Sequence, residues 1–330
     1  MIEYDFYKPA MHLEQIVELE KILWVGKTSE EIHDIFAWKY PENSGLVNGF
    51  VALDGNLVVG FRGFFIQKYV KDGYIFPVAV LGDAAVHPNY QRRGIFSNLT
   101  KKAIDCYSTS SVDYILALSS NSKSSPGYLK LGWETFQRKE YRIGISTSNM
   151  CLGFLKHKSI ARLNDFEIEV IQRTEIDRWA HELDMFCKPL DGCGCVSLRR
   201  DCHYWTWRFA NPDWKACLAV LRKNGQINGV IAFLPEKRKG IKTIRILDVV
   251  VADPSLFPLF YKGLKKITDA WCYFILDAAG ISNEILKKEF PFNKCSRTNS
   301  PADFYMIKSL NNSSTSEITK NIVLNYSNID

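Results

Sequence analysis

Val86-His87-Pro88-Asn89-Tyr90-Gln91-Arg92-Arg93-Gly94-Ile95-Phe96 is the stretch on which the reading of this chain turns. Before it, Val78 to Val86 is an apolar run that reads as a strand. After it, Ile95 to Tyr107 reads as a helix, with Ile95, Leu99, Ala103 and Cys106 on one face. A helix start carries unpaired backbone N–H groups and the positive end of the dipole, so a strand–turn–helix junction of this kind favours a phosphate. Gly94 has no Cβ to hold an anion off the backbone, and Arg92 and Arg93 add charge. Taken alone, the loop is an anion site of any kind, or a basic turn at a helix start.

The surroundings are an alternation of helices and strands. Leu13 to Leu23 has apolar residues at helical spacing, and Thr28-Ser29-Glu30-Glu31 is a helix start that leads to a helix ending before Pro41. Phe50 to Leu53, Asp54-Gly55 and Leu57 to Phe65 form a hairpin signal. Val112 to Leu118 is a continuous apolar run, as a strand buried on both faces should be. Beyond it come Asn121 and then Ser125-Pro126-Gly127-Tyr128-Leu129-Lys130-Leu131-Gly132-Trp133.

These two blocks resemble the signatures of the GCN5-related N-acetyltransferase (GNAT) superfamily. The first is similar to its coenzyme A motif, Q/R-x-x-G-x-G/A, with Phe96 in place of the last small residue. The second is similar to an Asn followed by Tyr-x-x-x-Gly-Phe, with Trp133 for the Phe. The resemblance implies an α/β (α+β) fold with a mixed, mostly antiparallel twisted sheet flanked by helices. It implies acetyl-CoA or another acyl-CoA as co-substrate, held by Ala85, Val86, Gln91, Arg92, Arg93, Gly94, Ile95, Phe96 and Asn121. Backbone N–H groups of Ala85 and Val86 would face the acyl oxygen, as in an oxyanion hole. Tyr128 falls at the position of the general acid, and a phenol suits that work because it holds its proton at neutral pH. Asp83 is the candidate base or substrate contact, with His87 beside it; Trp38 and His87 are the candidate substrate residues.

The two halves of the chain also resemble each other. Trp38-Lys39-Tyr40-Pro41 has a counterpart in Trp207-Arg208-Phe209 with Pro212 behind it, and Asp54-Gly55 to Gly60 has one in Asn224-Gly225 to Gly229, the last glycines at the same offset as the tryptophans. Leu81-Gly82-Asp83 answers to Ile246-Leu247-Asp248 at a slightly shorter one. A repeat this long suggests two copies of one domain fold, not a solenoid. The expected organisation is a catalytic domain at 1–145, a linker at 146–164, a second GNAT-like domain at 165–310 and a polar, mobile tail at 311–330. After Asp248 the second copy continues as Val251-Ala252-Asp253-Pro254-Ser255-Leu256-Phe257 and has no Arg-Arg-Gly turn, so only the first keeps a phosphate loop. Asp83 and Asp248 stand at matching places, so the aspartate reads equally as a shared structural feature. Trp38 and Trp207 read first as repeated core anchors.

Composition sets the remaining limits. A chain of 330 residues with 46% hydrophobic and 24% charged residues suits two soluble domains. A net charge of +6 suits phosphorylated or acidic ligands and is too dispersed to argue for nucleic acid. The first residues, Met-Ile-Glu-Tyr-Asp, lack the apolar core of a signal peptide, and no apolar run approaches a membrane span. The 9 cysteines do not form a disulfide framework, so a cytoplasmic location is expected. Cys193, Cys195, Cys202 and His203 do not have the spacing of a standard zinc finger and read as reduced thiols, so no metal is expected. The functional expectation is acyl transfer to a small amine; among doubled GNAT proteins, a nucleotide- or lipid-linked amino sugar of surface polysaccharide synthesis is the acceptor the resemblance suggests. The alternatives are a non-catalytic acyl-CoA-binding protein and an aminoacyl transferase of the paired-GNAT type.

Overall fold

The computed structural model describes residues 1–41, 47–152, 160–276, 281–295, 300–311 and 314–324. The strands in chain order are β1 Ile2–Phe6, β2 Gly49–Asp54, β3 Leu57–Lys71, β4 Tyr74–Val86, β5 Tyr114–Ala117, β6 Glu134–Arg138, β7 Glu140–Ile145, β8 Ile160–Leu163, β9 Phe166–Gln172, β10 Ser197–Leu198, β11 Cys217–Lys223, β12 Gln226–Arg238, β13 Ile241–Val251, β14 Cys272–Leu276, β15 Phe292–Cys295 and β16 Phe304–Ser309. The helices are α1 Pro9–Leu23, α2 Ser29–Lys39, α3 Ile95–Ser108, α4 Ser125–Lys130, α5 Thr147–Leu152, α6 Ile176–Cys187, α7 Cys202–Phe209, α8 Phe257–Ile267, α9 Asn283–Glu289 and α10 Thr315–Thr319. The fold is mixed α/β, with two mostly antiparallel sheets flanked by helices.

One sheet has the order β1-β2-β3-β4-β5-β16-β6, with β10 added against β3; the other runs β15-β7-β14-β13-β12-β11-β9-β8. The repeat is visible strand by strand. Both copies have one parallel pair, β4 with β5 and β13 with β14, among antiparallel neighbours. Both carry irregularities at matching places: between Ala52 and Leu53 opposite Gly60 and Val58, and between Leu221 and Arg222 opposite Gly229 and Ile227. A second matched pair lies opposite Gly82–Asp83 and opposite Leu247. A bulge re-aims the side chains around it, and two copies of the same two bulges are strong evidence of a duplicated fold.

The expected boundary at 145 does not follow the sheets. β7 leaves the first half and pairs with β14 and β15, while β16 returns to pair with β5 and β6. The two strands are exchanged, each filling the same slot in the other copy's sheet. Ile143 and Ile307 are each paired on both sides, so either strand closes the gap between the parallel strand and the edge strand of its sheet. The stretch expected as a linker likewise carries α5 and β8, the latter paired with β9; residues 153–159 lie outside the described residues. The tail is not loose as far as it is described. Ile318, Ile322 and Leu324 are buried, and Val196 bonds through its N–H and carbonyl to Asn321 and Val323. The apolar residues among its Ser, Asn and Thr decide this, while residues 312–313 and 325–330 lie outside the described residues.

The largest buried cluster joins the halves. Phe65, Tyr69 and Leu116 of the first sheet pack with Leu183, Trp205, Leu218 and Val230 of the second half. Separate clusters lie under α3 and under α1 and α2 in the first half, and under α8 in the second. Local signals set these helices: α2 begins with a capping box in which Thr28 Oγ1 accepts from Glu31 N at 3.2 Å and Thr28 N donates to Glu31 Oε2 at 2.8 Å. At the seam, Trp38 and Trp207 stack with ring centroids 5.2 Å apart. Each indole N–H donates to the other's backbone carbonyl, at 2.7 and 3.1 Å. The repeated tryptophans therefore meet across an approximate two-fold axis, as residues of an isologous contact do.

The exchange and the shared core predict one cooperative unit. Calorimetry and circular dichroism should report a single coincident unfolding transition for the full chain, and a fragment of residues 1–145, which lacks β16, should not melt cooperatively. Two separate transitions in the full chain, or a cooperative fragment, would contradict this account.

Candidate functional site

The register of the first sheet opens its cleft. β4 and β5 pair only from Val78 to Val80 and from Tyr114 to Leu116. Past that point β4 stays on β3 while β5 departs, so among the described residues no strand pairs with the edge from Leu81 to Val86 on that side. The gap is a cleft of about 1000 Å³, bordered by Gly82, Asp83 and Val86 on one side and by Ser119, Ser120 and Asn121 on the other. Its floor is the start of α3 with Arg92, Gly94 and Phe96, and α4 brings Tyr128. Asn211, Asp213 and Trp214, from the loop after α7, close it from the second half.

The loop into α3 is shaped for an anion. Arg92 and Gly94 have φ of 62° and 77°, two left-handed residues one apart. Such alternation turns successive N–H groups into one concavity. The first helical bond is Asn98 N to Gly94 O at 2.9 Å, so the N–H groups of Ile95, Phe96 and Ser97 have no acceptor within the helix. A Cβ on Gly94 would meet open space apart from Asn98 Nδ2 at 4.0 Å, but at that φ it would be strained. The Gln91 amide donates to the Val86 carbonyl at 3.2 Å, which places that residue's polar edge, its N–H included, on the cleft side.

Three of the expected residues do not reach the cleft. Ala85 alternates with Val86, so its N–H faces β3 and its side chain is buried against α1 and α2. Arg93 turns out over the Tyr90 ring, 4.8 Å from its centroid. His87 accepts from Asn89 N at 3.3 Å and caps the short turn Pro88–Tyr90. Tyr90 itself donates to Asp54 at 2.7 Å, and that bond raises its pKa. Asn121 borders the cleft, with its carbonyl oxygen Oδ1 taken by the N–H groups of Lys123 and Ser124 at 2.9 and 3.1 Å. Trp38 borders it too, with one face on Trp207. Of the cysteine cluster, Cys202 donates its thiol to Asp184 at 3.4 Å and His203 stacks on Trp207.

Asp83 has company that the sequence reading overlooked. Its Oδ2 accepts from Lys39 Nζ at 2.9 Å and from the Tyr40 hydroxyl at 2.8 Å, and its own N–H donates to that hydroxyl at 2.8 Å. The Lys39 side chain is only 3% exposed, so the pair is largely dry. Two glycines make room for Tyr40: a Cβ on Gly63 would strike its ring, and one on Gly82 its hydroxyl. In the second copy these glycines are Ala232 and Leu247, and Tyr40 is Phe209. There Asp248 is 2% exposed and held by Arg200 at 2.8 and 3.0 Å and by the Tyr204 hydroxyl at 2.6 Å. The same aspartate is thus a closed ion pair in one half and borders an open cleft in the other.

Arg62 is the other overlooked residue. Its Nη2 donates to the Tyr128 hydroxyl at 2.7 Å, and its guanidinium lies 5.5 to 5.6 Å from the ring centres of Phe64, Phe96 and Tyr128. A lone arginine inside the apolar run Val58 to Phe65 was the available signal. Tyr128 is held on its other side by Trp133, with centroids 5.0 Å apart. Lys39 had a weaker signal, a cation between two aromatic residues in a repeated block. Lys27 joins Asp213 across the two halves at 2.7 Å.

Residues 10–136 match the family model for the acetyltransferase (GNAT) domain. Solved structures share the fold over nearly the whole chain. A GCN5-related N-acetyltransferase from Anabaena variabilis ATCC 29413 has a TM-score of 0.64 at 16% identity, covering 94% of this chain and 73% of its own. A tandem GNAT protein from the clavulanic acid biosynthesis pathway has a TM-score of 0.56 at 11% identity, covering 95% of this chain and 100% of its own. A glucosamine N-acetyltransferase region of a fungal multi-domain GH3 β-N-acetylglucosaminidase gives 0.55 at 14% identity, over 93% of this chain and 38% of that one. No curated protein matches the sequence. The family match lies within the first half of the chain, and the duplicated sheet with a splayed parallel pair gives the whole chain a fold similar to these structures, a tandem GNAT protein among them.

The packing of Tyr40 makes a test. Gly82→Ala and Gly63→Ala should each cost about 1–3 kcal/mol of stability by overpacking. At Gly82 only the hydroxyl is struck, with the ring carbon Cζ at 3.1 Å, so Tyr40→Phe should recover part of the loss. At Gly63 the ring itself is struck, so it should not. Thermal melting of the four variants reads this out, and equal recovery at both positions would show the ring is not wedged as described.

Proposed function

We propose that the chain is an acyl-CoA-dependent N-acyltransferase, in the simplest case an N-acetyltransferase, acting on a small amine. The observation that carries this reading is the convergence of an anion-shaped helix start and the Tyr128 hydroxyl on one cleft between the halves. Arg92, Gly94 and the first N–H groups of α3 fit a diphosphate, and the free edge of β4 fits an extended arm laid beside it. The thioester supplies an activated acyl carbon, and the residues of the chain do the rest. The Val86 N–H is the donor available to the acyl oxygen. The Tyr128 hydroxyl supplies the proton that the departing sulfur needs. Asp83, with Lys39 and Tyr40 fixing its Oδ2, is a carboxylate on which an ammonium can dock before it loses its proton. The second half contributes Asn211, Asp213 and Trp214 to the acceptor end.

Within that reading an amino sugar remains the favoured acceptor class. Trp24, Trp38 and Trp214 offer apolar faces, and Asp83, Asp213 and Asn211 offer hydroxyl partners; the sugar-acetylating relative shares the fold. The second sheet is read as empty of cofactor. Its Asp253 accepts from Ser255 N at 2.8 Å and caps the turn Pro254–Leu256 as His87 caps Pro88–Tyr90, but α8 then starts at once at Phe257, with no counterpart of Gln91–Gly94. Its cleft aspartate is closed by Arg200.

Calorimetric titration should therefore give one acetyl-CoA per chain, and Gly94→Asp should abolish it by adding charge and strain in the concavity. Two molecules per chain, or unchanged affinity in the variant, would refute the assignment. In a thiol-release assay with a panel of amines, Tyr128→Phe should lower kcat about 10²–10⁴-fold while acetyl-CoA affinity changes little, because the sulfur needs a proton only as it leaves. Unchanged turnover with chemistry limiting would remove Tyr128 from the mechanism.

A further inference from the structure

Arg62 is a buried cation for which the fold gives no reason. It is 3% exposed and makes no ion pair among the described residues. Its polar partners are the Tyr128 hydroxyl at 2.7 Å and the Gly82 carbonyl at 3.4 Å, and its Nε has none. Burying a charge without a counter-charge is costly, and apolar replacements are often more stable. The second sheet provides the comparison inside the same molecule. Ile231 stands at the matching position of β12, fully buried, opposite Val249 as Arg62 is opposite Ala84. A guanidinium is therefore not required to build this strand.

Nor is Arg62 placed to hold a phosphate. Arg92 is exposed at the cleft floor, whereas the Arg62 guanidinium is packed against the rings of Phe64, Phe96 and Tyr128. Its one close polar partner is the hydroxyl oxygen. By donating to that oxygen it takes a lone pair and leaves the phenolic proton to be given elsewhere.

We infer that Arg62 is a positioning residue for acyl transfer, acting through Tyr128; the inference rests on the N-acyltransferase reading above. The amine nitrogen forms a bond to the acyl carbon, the carbon–sulfur bond breaks, and the sulfur takes the proton from Tyr128. The phenolate so formed faces the fixed cation of Arg62 in a dry setting, where a preoriented donor is worth most. The proton released by the new amide nitrogen then restores the phenol through water, so the cycle closes with no other reactant.

The test is a double-mutant cycle on the full chain, with acetyl-CoA and the amine found by screening. Arg62→Met should lower kcat about 10²-fold, the usual worth of one such donor, and leave KM for acetyl-CoA within about twofold. Arg62→Met combined with Tyr128→Phe should be no slower than Tyr128→Phe alone, because the cation then has no phenolate to face. Arg62→Lys should recover part of the loss. The melting temperature of Arg62→Met should equal or exceed that of the wild type, which separates this role from a structural one. Unchanged kcat, losses that multiply in the double variant, or a lowered melting temperature with kcat lost in proportion would overturn the inference while the acyltransferase reading stands. A wild-type chain that binds acetyl-CoA but releases no thiol with any amine would overturn both.

Discussion

The exchange of β7 and β16 is the constraint from which the rest follows. Each strand lies between two others in the sheet of the opposite copy, so neither sheet is complete without the other half. The cleft depends on this directly. β5, which forms one wall of the gap, is fixed on its far side by β16, and Ser120 at its end is held by Lys139, the residue between β6 and β7. Lys139 Nζ donates to the Ser120 carbonyl at 2.6 Å, to its hydroxyl at 3.0 Å and to the Ala302 carbonyl at 3.1 Å. The two crossings that carry the exchange, β6 to β7 and β15 to β16, therefore meet on one ammonium behind the cleft. Burial pulls that ammonium down to about 8, with Asp303 opposing the shift. A duplicated domain joined only by a linker could rock about its seam; one joined by exchanged strands holds the two walls of the cleft in a fixed relation.

What could be read from the sequence was what local rules decide. The helix start at Ile95, the capping box at Thr28 and the hairpin at Asp54-Gly55 each depend on a few adjacent residues, and they lie where expected. The duplication was legible because turn dipeptides and tryptophans recur at nearly constant spacing. The exchange was not, since Glu140–Ile145 carries the same apolar pattern whichever sheet accepts it. Partner choice is a long-range matter that no local signal encodes. At the site the motif positions were legible, and their directions were not. Ala85 and Val86 are adjacent in the motif, yet strand alternation turns one to the cleft and the other to the helices. Arg62 and Lys39 belong to no motif and become visible only as buried charges.

The two copies act as each other's control, and their differences are more telling than their likeness. Shared features answer to the fold: the tryptophan pair, the two bulges and the aspartate after the second bulge. The differences that follow lie at the cleft or pack behind it. Gly63 and Gly82 become Ala232 and Leu247, Tyr40 becomes Phe209, Arg62 becomes Ile231, and the Arg-Arg-Gly turn has no counterpart. In each case the second copy has the residue that packs better or closes a charge. Ile231 is a better core residue than a guanidinium with no ion pair among the described residues, and Leu247 carries a side chain where Gly82 gives way to the Tyr40 hydroxyl. The bidentate pair of Arg200 with Asp248 is likewise fully buried and satisfied. The first copy instead keeps a cavity, two glycines and an uncompensated cation, each of which costs stability in a core that demonstrably folds without them. Those costs cluster around Tyr128 and Asp83, in one half and on one cleft, and since the fold gains nothing from them they support the proposal that the acyl transfer takes place there.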